Sequence, residues 1–159
     1  MSRARTAGFS FIELMASLAI MAVLLLIAVP TARMATQRHK ETELRSALAQ
    51  IRGAIDRYKK AAEQGRIEIA IGASGYPPDL AVLVEGVDDI SSPDRRRLYF
   101  LRRLPRDPFD TRSDVPPEET WGLRSYESPP DDPAEGDDVF DVYSLSEGVA
   151  LNGAAYREW

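Results

Sequence analysis

From Leu14 to Val29 this chain carries a single polar side chain, Ser17. A helix of that composition, extended back to Phe9, reaches about 30 Å at ~1.5 Å per residue, which is the hydrocarbon thickness of a bilayer. Such a run is long and apolar enough for a membrane span, and that restricts everything that follows. One carboxylate stands near its start, Glu13. An acid near the bilayer interior costs about 2.5–3.5 kcal/mol on insertion scales. Glu13 therefore either sits at an interface where the membrane ends, or neutralises a partner charge.

The residues ahead of the run hold two arginines, Arg3 and Arg5, no acid, and then the small pair Ala7 and Gly8. That is the make-up of a short basic leader kept at the cytoplasmic face. A secretory signal peptide instead places its small-residue cleavage site after the apolar run, and Val29 to Ala35 is compatible with such a site. Composition leaves both processing schemes open.

The order Gly8-Phe9-Ser10-Phe11-Ile12-Glu13-Leu14, then the apolar run and Pro30, resembles the class III signal of type IV pilins and type II secretion pseudopilins. The resemblance implies cleavage between Gly8 and Phe9 by a prepilin peptidase and N-methylation of Phe9. It also places Glu13 at the family's assembly glutamate and Pro30 at its helix-bending proline. Ser10 departs from the commoner threonine. On this reading the new α-amino group of Phe9 lies at membrane depth, and Glu13 of an adjacent subunit neutralises it. Two costly charges then become one hydrogen-bonded ion pair.

Downstream of Pro30, residues Leu44, Leu48, Ile51, Ile55, Tyr58 and Ala62 recur at helical spacing and form one apolar stripe. Arg45, Gln50, Arg52, Asp56, Arg57, Lys59 and Lys60 lie between them as a solvated or subunit-facing surface. Gly65 is a stop signal. Pro30 is expected to bend the helix rather than end it, since helix-friendly residues resume after it. The resulting division is a leader over 1–8, an apolar helix over 9–30, its amphipathic continuation over 31–64, and a small head over 65–159.

In the head, Arg66 to Ile71 alternates polar and apolar residues and fits a strand or an extension of the helix. Pro78-Asp79 opens a short helix through Leu83. Leu98 to Phe109 is similar to the pseudopilin segment in which a short helix ends at a Leu-Pro-x-Asp-Pro turn. Strands are expected at Trp121–Glu127 and Val139–Leu145, with a weaker one at Ala154–Trp159. Between the first two lies Ser128 to Asp138, with three prolines and five acids, which composition makes a solvated loop. Trp121 to Tyr126 and Asp141 to Gly148 resemble the paired strands of major pseudopilins. The fold class is thus α+β, a pilin-like arrangement of a long N-terminal helix packed on a small antiparallel sheet of about three strands.

The pseudopilin resemblance implies calcium in the loop after the last full strand. The nearest oxygen donors are Asp141, Ser144, Glu147 and Asn152, but the family's run of aspartates is missing, and calcium needs about 6–8 oxygen ligands. No metal is assigned on that basis. The chain has no cysteine, hence no disulfide, no thiolate metal site and no thiol nucleophile. This also matches pseudopilins better than pilins, whose carboxy-terminal loop is usually closed by a disulfide.

A net charge of −5 gives no general attraction to nucleic acid. His39, the sole histidine, stands between Arg38 and Lys40 as a surface cation rather than a general base. Arg95-Arg96-Arg97 and Arg102-Arg103 could grip phosphate, but are expected to serve helix-surface solubility or contact with the acidic loop of a next subunit. Phosphate loops, zinc spacings and nucleophile elbows are absent from the sequence.

The expected protein is a filament subunit and not an enzyme. Its partners would be itself, other pseudopilins, the prepilin peptidase and an inner-membrane assembly platform. It would be a single-pass protein of the bacterial inner membrane with its head in the periplasm. The alternatives are a type IV pilus or competence pilin, or a singly anchored periplasmic binding module.

Overall fold

A computed structural model describes residues 10–159, and the Gly8–Phe9 junction lies outside the described residues. The chain divides into two units, one ending at Arg38 and the other running from His39 to Trp159. Helix α1, Phe11–Glu63, contributes to both. It does not end at Pro30. That proline cannot donate to the Leu26 carbonyl four residues back, and one position on, the Thr31 hydroxyl donates to the Ile27 carbonyl.

In the second unit α1 supplies the core. Leu44, Leu48, Ile51, Ile55 and Tyr58 are buried as their spacing predicts, and Ala47, Ala54 and Ala61 widen the stripe. Alanine keeps this flank thin enough for close packing. The helix ends in a Schellman turn. Gly65, at φ 67°, occupies the left-handed position, its N–H reaches the Ala62 carbonyl at 2.9 Å, and the Arg66 N–H reaches the Ala61 carbonyl at 3.0 Å.

The head adds α2 (Val82–Glu85), β1 (Val87–Asp88), β2 (Arg97–Leu98), β3 (Trp121–Arg124) and β4 (Asp141–Ser144), with 3-10 turns at Pro117–Thr120 and Tyr156–Glu158. Asp79 Oδ1 accepts from the Val82 N–H at 2.9 Å and so starts α2. The strands form two antiparallel pairs, β1 with β2 and β3 with β4. In the second pair Trp121 faces Ser144 and Arg124 faces Asp141. Gly122 lies under the Tyr143 ring, where a Cβ would stand 2.3 Å from ring carbons. Val139, Val142 and Trp121 close the core against α1.

The α+β class with its long amino-terminal helix is as the sequence predicts, with four short strands in two pairs where about three in one sheet were expected. Arg66 to Ile71 forms neither strand nor helix. Its start is drawn aside: the Arg66 carbonyl accepts from Ile90 and its guanidinium grips Asp89. The short helix expected before Pro105 is also absent, because the N–H groups of Phe100 and Leu101 both donate to the Leu83 carbonyl, at 3.0 and 2.8 Å. The weak strand at Ala154–Trp159 is reduced to one bridge, Val149 with Ala155, followed by the 3-10 turn that swings Tyr156 onto Phe109 with ring centroids 4.1 Å apart.

The Leu104 to Pro108 turn is tied to the second strand pair by a buried acid. Asp107 accepts from the Phe109 N–H at 2.7 Å and from the Ser144 hydroxyl at 2.5 Å. Trp121 Nε1 donates to the Pro105 carbonyl at 2.9 Å. Proline at 105 and 108 cannot donate from its backbone, so this turn relies on side chains and neighbours for its hydrogen bonds.

Candidate functional site: the apolar start of α1

The first turns of α1 present almost nothing polar. Phe11 and Ile12 are 78% and 75% exposed, and every large side chain from Leu14 to Val29 is likewise uncovered. This window has a mean hydropathy of 2.6 and none of it is buried. A continuous apolar face of this length needs a nonaqueous cover, whether lipid or the same face of other subunits.

Glu13 sits in the first turn. Its carboxylate there complements the positive end of the helix dipole, while its backbone carbonyl takes the Ser17 hydroxyl at 2.8 Å. That internal bond lets Ser17 enter an apolar run without an unsatisfied group. The side chain of Glu13 is exposed at the start of the apolar face. Pro30 lies at its far end, inside the helix.

The four residues weighed for calcium do not fit that ion. Asp141 receives the Arg52 guanidinium at 2.6 Å. Ser144 is fully buried and its hydroxyl donates to Asp107. Asn152 Oδ1 accepts from the Ala154 N–H at 3.1 Å, and Glu147 is exposed. Two of the four donors are thus committed to partners across the fold, one of them to a cation. Among the described residues, no cluster of three or more histidine, aspartate or glutamate side chains is placed to hold a metal. What holds this loop is α1. Glu41, buried in the helix, accepts from the Leu151 N–H at 2.8 Å and the Tyr156 hydroxyl at 3.1 Å. Sequence reasoning missed Glu41, whose only signal was an acid flanking the apolar stripe.

His39 is solvent-facing and lies 3.3 Å from Glu43, one helical turn on, in keeping with a surface role. Asp89 is the acid most displaced from ordinary behaviour. Hydrogen bonds from Arg66 and then from Ser91 hold its carboxyl down at about 2, against a smaller opposing push from burial. Its surroundings are structural, joining the end of α1 to the turn before β2.

Residues 3–29 match the prokaryotic N-terminal methylation motif. That motif is a type IV pilin-like signal, and it runs into the uncovered apolar face of α1. The apolar helix near the amino terminus is consistent with single-pass membrane anchoring. Comparison of the chain with curated proteins and with solved structures found no match.

Proposed function

We propose that this chain is the precursor of a pseudopilus subunit serving type II protein secretion. The observation that carries the reading is the methylation motif running into a helix whose apolar first half is uncovered. A prepilin peptidase cuts between Gly8 and Phe9, and Phe9 is N-methylated. The mature chain waits in the inner membrane with its head in the periplasm until the assembly platform draws it into a filament with copies of itself and other pseudopilins. The choice of secretion over a pilus rests on the resemblance of the head, from Leu104-Pro105 through the β3 and β4 segments, and on the lack of cysteine. The part played is structural, not catalytic.

Glu13 supplies the assembly chemistry. As subunits pack, its carboxylate neutralises the ammonium of a neighbouring Phe9, and Pro30 adapts the helix to that packing. Removing one member of a buried ion pair costs about 3–5 kcal/mol, because the other is left uncompensated. Glu13→Ala should therefore be cut normally and fail to polymerise. Amino-terminal sequencing of membrane-extracted protein, with electron microscopy of sheared filaments, reads both. An intact Met1 terminus, a start near Ala32 to Thr36, or normal filaments from Glu13→Ala would refute the proposal.

A further inference from the structure

Segment 95–106 carries six arginines and no acid, while segment 127–138 carries six acids and no base. The fold sets these opposite charges on different flanks of α1. Arg57 donates to the Phe100 carbonyl at 2.7 Å, on the side where the arginine-rich segment packs. Lys59 donates to the Ser74 carbonyl at 2.8 Å, and the Ser74 hydroxyl in turn holds Asp138 at the root of the acidic segment. Two residues apart on a helix of 3.6 residues per turn, Arg57 and Lys59 point about 200° apart at nearly the same height.

On the Arg57 flank lies a groove of about 620 Å³ between α1 and the chain after β2, lined by Ser46, Gln50, Arg57, Phe100, Arg102 and Arg103 among others, with no carboxylate in its wall. Arg102 and Arg103 are exposed and make no ion pair among the described residues. On the other flank the acidic segment is pinned at two points: Ser125 N–H reaches the Ala134 carbonyl at 2.9 Å, and Tyr126 N–H reaches Asp138 at 2.8 Å. Asp131, Asp132, Glu135 and Asp137 are left facing solvent. An anchored loop loses less freedom on docking than a free one.

We propose that the acidic 127–138 loop of one subunit seats in the Arg57–Arg102–Arg103 groove of a second copy of this chain. The inference rests on the filament reading and deepens it. Complementary patches on opposite flanks form a head-to-tail contact, which leaves a free patch at each end and so propagates. A two-fold dimer would bring like charges together. The charge pattern also sets register, since opposed potentials guide docking and like patches repel.

The test uses the full chain in a host that processes and assembles it. The absence of native cysteine makes thiol cross-linking free of background. A chain carrying both Asp132→Cys and Arg103→Cys should give a ladder of dimer, trimer and higher products with a short bifunctional thiol reagent, while each single variant should give none. Arg102→Glu with Arg103→Glu, or Asp131→Lys with Asp132→Lys, should each lower filament yield at least tenfold, and all four together should restore it. These side chains make no ion pair among the described residues, so unchanged tryptophan fluorescence checks the fold. A dimer from either single-cysteine chain, or wild-type filaments with no ladder and no effect of charge reversal, overturns this contact and leaves the filament reading standing. An uncut, unassembled wild type overturns both.

Discussion

Glu41→Ala should loosen the segment from Gly148 to Trp159 and cost the head about 2–4 kcal/mol. The carboxylate takes two hydrogen bonds, and their surroundings differ. Tyr156 is 2% exposed, so water does not take the place of the lost acceptor, and a bond to a charged group is worth about 1.5–3 kcal/mol. The Leu151 residue is 43% exposed, so water can replace the carboxylate at its N–H, and that bond adds about 0.5–1 kcal/mol. Denaturant unfolding of the full chain in detergent micelles gives the total. The two tryptophans separate the cause. Trp159 meets the Tyr156 ring with centroids 5.3 Å apart, whereas Trp121 is buried at β3. Emission from a Trp121→Phe background should shift in native buffer when Glu41 is replaced, and emission from a Trp159→Phe background should not. Combining Glu41→Ala with Tyr156→Phe should cost clearly less than the two changes summed, as expected of groups in contact. A loss below about 0.5 kcal/mol, within the range of an ordinary surface change, would refute the reasoning.

Two further outcomes follow from the head. The Asp89 carboxyl is held at about 2 by Arg66 and Ser91, so the unfolded chain binds its proton first. The contribution is complete above the unfolded value near 3.9 and fades as pH falls towards about 2. Unfolding midpoints measured down that range should fall more steeply for the wild type than for Asp89→Asn, and parallel curves would contradict the assignment. Calcium added to the chelator-treated full chain should leave its unfolding midpoint unchanged, because Arg52 already occupies Asp141. A saturable rise in stability would reverse that view of the loop.

How far the sequence reveals this molecule depends on whether a signal is local. The apolar run, the stripe of α1 and the Gly65 stop are set by neighbours three or four positions away, and all appear where periodicity places them. The alternation in Arg66 to Ile71 is equally regular, yet Ile90 claims the Arg66 carbonyl and Asp89 its guanidinium, both from a later turn. The expected helix before Pro105 fails for the same kind of reason, since Leu83 claims the donors of Phe100 and Leu101. Asp107, buried and bonded to Ser144, shows the converse. The Leu-Pro-x-Asp-Pro turn was visible, but not its role as the link from the turn to β4. Of the candidate site, the apolar face and Glu13 were legible as composition; the loop donors were not, because a carboxylate in a list carries no record of the arginine that faces it.

The end of the head is fixed by charged side chains of α1. Glu41 and Arg52 are three helical turns apart and so share one flank of α1. Arg45, one turn on from Glu41, lies beside them. The three act in sequence along the docked segment. Glu41 accepts from Leu151 and Tyr156, Arg45 stacks 4.2 Å over the Trp159 ring, and Arg52 donates to Asp141, Val142 and the Trp159 carbonyl. A calcium ion would gather loop oxygens around itself and leave the loop to find its place on the helix. A charged row carried by the helix does both at once, since each hydrogen bond that orders the loop also fixes its position against the core. The row costs its own desolvation, and half-exposed Arg52 limits that cost by keeping part of its guanidinium in water. Stability of this segment is therefore bound to the folding of α1 from Glu41 to Arg52 rather than to the cation content of its surroundings.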